Sequence, residues 1–334
     1  MILSICIPSY NRFTKLRDNL KSILSIESEE LEVVVIDNCS DEDVSVLGIN
    51  DPRVIFLKRE SPVHANENVL QAIRVAHGKY VMLCMDKDRL LGEGIKDLID
   101  VLIDNKDISC GCCELNSVNN IYNIDDNPLK KHSYVVCHPS GCFVRKDIVL
   151  KELEYLKVDS EQSLYYRNAF QIDFFLAAGM IHGKFLHFKK PLVITETPEE
   201  AARTKSYTYS AKRNNVFFEP YNKIQQFKLY FDHINHLGIM GKEAKTIVHR
   251  LCRQLYNDCT LSYFGVMKNK SICNHYMIES RTLTKQEILF GANMADKEIN
   301  DLNMGFLEKI CIIAYCRLKL YLKLIILIMK GEFK

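Results

Sequence analysis

Residues 80–90 read YVMLCMDKDRL, an apolar run that stops abruptly at Asp86, Lys87 and Asp88. Two carboxylates separated by one residue at the end of a strand point away from the apolar run toward a shared ligand. Such a pair suits a hard divalent cation, Mn or Mg, that keeps most of its waters and takes its other oxygens from a diphosphate. Lys87 argues against a pure carboxylate cage and suits a phosphate-facing or solvent-facing side chain. The tripeptide alone more often marks a polar turn, so its surroundings must decide. Two other polar clusters also terminate apolar runs: Pro8-Ser9-Tyr10-Asn11-Arg12 after ILSICI, and Asp37-Asn38-Cys39-Ser40 after LEVVVI.

These clusters are placed by elements whose period alternates. ILSICIPS (2–9), LEVVVIDN (31–38), VIFLK (54–58) and YVMLCM (80–85) read as strands. FTKLRDNLKSILSI (13–26) repeats apolar positions at Phe13, Leu16, Leu20, Ile23 and Leu24, one helical face, and NVLQAIRVA (68–76) is helical again. Strands apolar on both faces that alternate with amphipathic helices predict an α/β fold with a mostly parallel sheet flanked by helices. Ligands of such sheets gather beyond the carboxyl ends of the strands, and all three clusters lie there, facing one crevice.

SICIPSYNR, then VVVIDNCSDE, then ENVLQAIRVAHGKYVMLCMDKD resemble, in order and spacing, the nucleotide-binding half of the family 2 glycosyltransferases with the GT-A fold. The similarity covers the first hundred residues well and thins through residue 195. It implies a transferase using a nucleotide-diphosphate sugar. Pro8, Tyr10 and Arg12 then match the loop that packs on the nucleotide base, and Asp37 the carboxylate that reads it, with Asn38 and Ser40 shaping the turn. A uracil N3–H is a donor that a buried carboxylate can accept, which points to a UDP-sugar. Asn68 matches an asparagine beside the donor, Asp86 a carboxylate near the ribose and diphosphate, and Asp88 the direct metal ligand. Lys87 and Arg89 depart from the family pattern by adding positive charge that could touch the diphosphate or weaken metal dependence.

Inverting enzymes of this kind resemble a single in-line displacement in which a carboxylate takes the acceptor proton. HPSGCFVRKDIV (138–149) is similar to the family's glycine-containing loop, which puts the base in YYRNAFQIDFFLAAGMIHGKF (165–185), where Asp173 is the one carboxylate. An unpaired charge in so apolar a stretch is costly unless it faces a polar cleft. A helix surface or an ion pair with Arg167 is the plain alternative, and Asp159 and Glu161 are the reserves for the base.

The 334 residues, 47% apolar and 26% charged with a formal charge of +2, give no general nucleic-acid footprint and argue against disorder. Thirteen cysteines without a secretory leader suit a reducing cytosol, and Cys110, Cys112 and Cys113, with Cys137 and His138 as the nearest candidates, lack metal-site spacing. TETPEEAARTKSYTYSAKRNN (195–215) reads as a linker or flap whose Arg203, Lys205 and Lys212 reach a diphosphate on closing, or as a solvated loop. Helical periodicity follows in IQQFKLYFDHI and AKTIVHRLCRQLY.

In FLEKICIIAYCRLKLYLKLIILIMK (306–330), Glu308, Lys309, Lys319, Lys323 and Lys330 share a face about a third of the circumference wide, and Arg317 falls outside it. A basic face opposite a Leu/Ile face predicts a helix lying in an anionic membrane interface, its charges being too many for a span. The competing reading is a helix packed on the core or on a second copy of the chain.

The expected organisation is a catalytic GT-A domain over 1–200, a helical region over 201–304 and a basic amphipathic helix over 305–334. The expected function is metal-dependent sugar transfer to a glycan or lipid-linked acceptor, by a cytoplasmic protein peripheral to the inner face of the cell membrane. A non-catalytic GT-A-like subunit of a glycan assembly complex is the alternative. A sugar-nucleotide pyrophosphorylase is disfavoured, because the first strand is not followed by a Gly-rich basic loop.

Overall fold

The computed structural model describes residues 1–135, 138–156, 171–197, 218–275 and 278–332, and the chain divides into two compact units, 1–200 and 201–334. In the first unit the strands β1 (Leu3–Ser9) and β2 (Leu31–Asp37) are buried along their whole length, as continuous apolar runs covered on both faces must be. With β3 (Val54–Lys58) and β4 (Tyr80–Leu83) they pair in parallel, Leu3 standing opposite both Leu31 and Tyr80.

Beyond β4 the pairing changes. The remaining strands are β5 (Arg89–Leu90), β6 (Ile108–Leu115), β7 (Tyr122–Asp125), β8 (Cys142–Arg145) and β9 (Lys184–Ile194). The sheet order is β3-β2-β1-β4-β8-β6-β9-β5, with β7 on β9. β8 is antiparallel to both β4 and β6, so β6 again runs in the direction of β4. The sheet is therefore parallel in its N-terminal half and mixed in the rest, yet β1, β2, β4 and β6 all end on the same side.

Helix α1 (Phe13–Leu24) buries Phe13, Leu16, Leu20 and Ile23, and the Phe13 ring meets Phe56 of β3 edge-on at 6.2 Å. Its Asn19 is also buried: Oδ1 accepts the Leu90 N–H at 2.8 Å and Nδ2 lies 3.4 Å from the Cys84 thiol. That amide bridges the strand before the D-x-D turn to the strand after it. α2 (Ala65–Val75) and α3 (Gly92–Asp104) complete the N-terminal helices, followed by the short α4 (Leu129–His132), α5 (Lys146–Leu156) and α6 (Gln171–His182). Cys110 and Cys113 are buried on β6 as core side chains.

At the opposite end of the sheet, Glu32 on β2 is 2% exposed. Burial alone would raise its carboxyl pKa; hydrogen bonds from the His77 N–H (2.5 Å), the Ser4 hydroxyl (2.5 Å) and the His77 ring outweigh that and hold it below its ordinary 4.5. A lowered carboxyl pKa gives stability that is complete above the ordinary value and is lost as pH falls through the folded value. Glu32→Gln should cost about 1–3 kcal/mol at neutral pH. Melting curves against pH should show the gap from the parent closing below the ordinary value; a gap independent of pH would contradict the assignment.

The described residues of the second unit are mainly helical. α7 (Pro220–His236), α8 (Gly241–Asn257), a π-turn (Asp258–Ser262), α9 (Tyr263–Lys268), α10 (Lys270–His275), α11 (Lys285–Asp301) and α12 (Phe306–Met329) follow in order. A capping box between Thr284 and Glu287 starts α11. On α12 the stripe Ile312, Cys316, Leu320 and Leu324 is buried, and the helix packs on α8 and α11.

Candidate active site at the strand ends

The loops that follow β1, β2 and β4 are stitched together. The Tyr10 N–H donates to Asp86 Oδ2 at 3.1 Å, and the Arg12 guanidinium meets Asp86 Oδ1 at 2.5 Å. The Asn11 N–H donates to the Ser40 hydroxyl at 2.8 Å, and Asn38 N–H to the Ser9 carbonyl at 2.8 Å. Three loops from distant parts of the chain thus form one floor, with the Tyr10 ring exposed above it and Pro8 buried in β1 beneath.

Two of these turns contain left-handed residues, Asn11 (φ 52°) and Cys39 (φ 67°). Asparagine tolerates that conformation; cysteine does so at a cost of roughly 1–2 kcal/mol. Cys39→Gly should therefore leave stability unchanged or raise it by up to about 1 kcal/mol, while the β-branched Cys39→Val should lower it by more than that. Urea midpoints of the two variants check this, and equal loss in both would show that the thiol matters more than the backbone.

Asp37 is wholly buried, its carboxylate accepting the Ser40 N–H at 3.1 and 3.3 Å and the Ser40 hydroxyl. It stands beneath the crevice floor, shaping the turn. Asn38, 8% exposed, exchanges two 2.9 Å hydrogen bonds with the Val63 backbone and ties that turn to the loop before α2. Asn68 faces inward at 2% exposure, donating to the Ile36 carbonyl at 2.7 Å and accepting from Arg59 Nε at 3.0 Å. Asp37, expected to read the nucleotide base, accepts from Ser40 and builds the turn, and Asn68, expected beside the donor, orients Arg59.

Asp86 and Asp88 are 4% and 2% exposed, with Lys87 half-buried between them and Arg89 exposed. Burial, opposed by Arg12, raises the Asp86 pKa. Asp88 is clamped from the loop before β8. The Ser140 hydroxyl donates to Asp88 Oδ2 at 2.5 Å while accepting the Met85 N–H at 2.9 Å, and His138 Nε2 lies 3.3 Å from the same oxygen. Asp88 Oδ1 faces the Glu196 N–H at 3.3 Å. His138 Nδ1 accepts the Ser140 N–H at 3.2 Å, which fixes the neutral tautomer with its proton on Nε2. Burial holds the His138 pKa below its ordinary value against the pull of Asp88. Gly141, at φ 82°, closes the loop where a Cβ would stand 2.7 Å from Val193 and 2.9 Å from Cys113. The sequence marks Ser140 only through the glycine-containing loop, and His138 only through that loop and as a poorly spaced metal-ligand candidate.

Asp173 lies in the first turn of α6, 2% exposed. α6 packs against β6, with the Ser109 hydroxyl donating to the Gly179 carbonyl at 2.6 Å and a Cβ on Gly179 placed 2.7 Å from Cys110. Ser109 near the start of β6 meets the later part of α6, so the helix begins at the end of the sheet where β4 and β6 finish. Burial first, then Cys112, Cys113 and the Asp173 carboxylate, raise the Cys142 thiol pKa, which puts Asp173 within electrostatic reach of a residue two positions from Ser140. The structure thus brings Asp173 to the same side of the sheet as Asp88. Cys137, Asp159, Glu161, Arg167, Arg203, Lys205 and Lys212 fall outside the described residues. Among the described residues no group of three or more His, Cys, Asp or Glu side chains is placed to hold a metal by itself.

Comparison with known proteins places this geometry. The family described as Glycosyl transferase family 2 matches residues 4–151. An uncharacterised protein of Mycobacterium tuberculosis, MT1568, is 31% identical over 99 residues, covering 29% of this chain and 31% of that protein. An uncharacterised glycosyltransferase of Haemophilus influenzae is 29% identical over 108 residues, covering 32% of this chain and 37% of that protein. The chain thus spans about a third of the length of these curated relatives. The crystal structure of S. aureus TarS 1-349 in complex with UDP shares the fold with a TM-score of 0.59 at 14% identity, covering 96% of this chain and 88% of that one.

Proposed function

We propose that this chain, whose residues 4–151 match the family described as Glycosyl transferase family 2, moves a sugar from a nucleotide-diphosphate donor to a hydroxyl of a glycan or lipid-linked acceptor. The observation that carries the reading is the joining of the β1 and β4 ends through Arg12 and Asp86, next to a second buried carboxylate, Asp88. A UDP-sugar is the favoured donor, supported by the fold shared with a protein solved with UDP.

A divalent cation, Mn or Mg, fits this donor set at Asp88. Its Oδ1 has one long N–H contact and can exchange it, and a single carboxylate suffices when diphosphate and water complete the shell. Asp86 is committed to Arg12 and the Tyr10 N–H, and His138 carries its proton on the nitrogen that faces Asp88, so neither is a ligand in this arrangement. When bound, the cation would neutralise charge on the departing diphosphate. Arg12, Lys87 and Arg89 add positive charge from the protein at the same strand ends.

In the transfer, the acceptor oxygen bonds to the anomeric carbon as the bond from that carbon to the diphosphate oxygen breaks. The nucleoside diphosphate leaves with the bonding pair, the acceptor proton passes to Asp173, and a single displacement inverts the anomeric centre. Commitment of both D-x-D carboxylates to protein partners favours one other reading, a GT-A-like subunit that binds nucleotide without turnover. Release of nucleoside diphosphate from a panel of UDP- and GDP-sugars, with and without Mn, decides between them. Mn-stimulated release from at least one donor is expected; none from any donor, with UDP still bound, would leave the non-catalytic subunit.

A further inference from the structure

Of the 25 large apolar side chains that are exposed among the described residues, 11 lie on the single helix α12. Its buried stripe, Ile312 to Leu324, leaves the opposite side outward, and there Leu318, Leu322, Ile325 and Met329 are 62%, 53%, 52% and 75% exposed. Contiguous apolar surface of this kind on a soluble helix marks a contact site. The helix is firmly seated on its own unit: Arg317 binds Asp296 of α11 at 2.5 Å, and Glu308 meets His249 of α8 at 2.6 Å. The outward face is therefore surplus to the packing among the described residues of that unit.

One flank of that face is cationic. Lys319 and Lys323 are exposed on α12, Lys319 sitting 4.7 Å from the Tyr315 ring centre. α8 extends the row: Lys245 lies 3.7 Å from Glu308, and Arg253 is close enough to Tyr315 to help lower its pKa, after Lys319. We propose that α12 lies in the interface of an anionic lipid bilayer, its Leu/Ile face inserted and the cations of α12 and α8 on the headgroups. A second copy docked antiparallel about a twofold axis would press this cationic flank against itself, whereas an anionic surface complements it. No helix among the described residues is long and apolar enough to cross a membrane.

Because the buried stripe of α12 is part of the core, the test uses the full chain with point variants. The parent should co-sediment with phosphatidylcholine vesicles containing phosphatidylglycerol, more weakly as salt rises, and far less with phosphatidylcholine alone. Each cation near such a surface is worth roughly fivefold in affinity, so Lys319→Gln with Lys323→Gln should weaken binding by more than about tenfold and flatten its salt dependence. Leu318→Asp with Leu322→Asp should abolish it while leaving the melting temperature near the parent's, as all four side chains are exposed. Absence of parent binding to the anionic vesicles, variants that pellet like the parent, or a dimer dissociated by the Leu→Asp pair without vesicle binding would each overturn the proposal.

Discussion

Asp173→Asn should bind nucleotide as the parent does and transfer sugar slower by on the order of a hundredfold or more. The amide keeps the shape of the side chain and removes only its ability to take a proton. Asp173 opens α6 on the side of the sheet where β4 and β6 end, 2% exposed in an otherwise apolar helix. A carboxylate in that setting is expensive to keep charged, and the base role proposed for it would account for its presence. Separate measurement of nucleotide affinity and of single-turnover transfer distinguishes loss of the base from loss of the site. Near-normal transfer would hand the role to Asp159, Glu161 or another group.

Asp88→Ala should abolish the enhancement of nucleotide binding by Mn. In the parent, Ser140 and His138 hold one oxygen of Asp88 and leave the other with a single long contact, to the Glu196 N–H. Removing the carboxylate takes away the oxygen proposed for the cation but not the Arg12 charge, so residual metal-independent binding should remain. Calorimetry of nucleoside diphosphate with and without Mn reads this directly. Unchanged enhancement in Asp88→Ala would remove Asp88 as a ligand.

Much of this site is written locally in the chain. The apolar run YVMLCM gives way to Asp86 just after β4 ends at Leu83, and β1 and β2 likewise end where a polar cluster follows an apolar run. The helical face of α1 was legible from Phe13, Leu16, Leu20 and Ile23, all buried in the structure. The outlying position of Arg317 on α12 was legible as well, but its reason, Asp296 on α11, was not. Contacts that join distant segments leave no period in the sequence: Arg12 with Asp86 spans 74 residues, and Ser140 with Asp88 spans 52. For the same reason the partner of Asn68, the Ile36 carbonyl 32 residues away, could not be read. The antiparallel insertion of β8 between β4 and β6 also escaped the periodicity, because a four-residue buried strand carries no sign of its direction.

The central claim, that the joined strand ends form a nucleotide-diphosphate site, is tested most directly by titrating UDP into the full chain with and without Mn, alongside Arg12→Met. The account predicts one site per chain, tightened by Mn, and weakened by on the order of tenfold or more when the Arg12 charge is removed. No measurable heat with UDP or GDP, or an affinity indifferent to both Mn and Arg12, would contradict it.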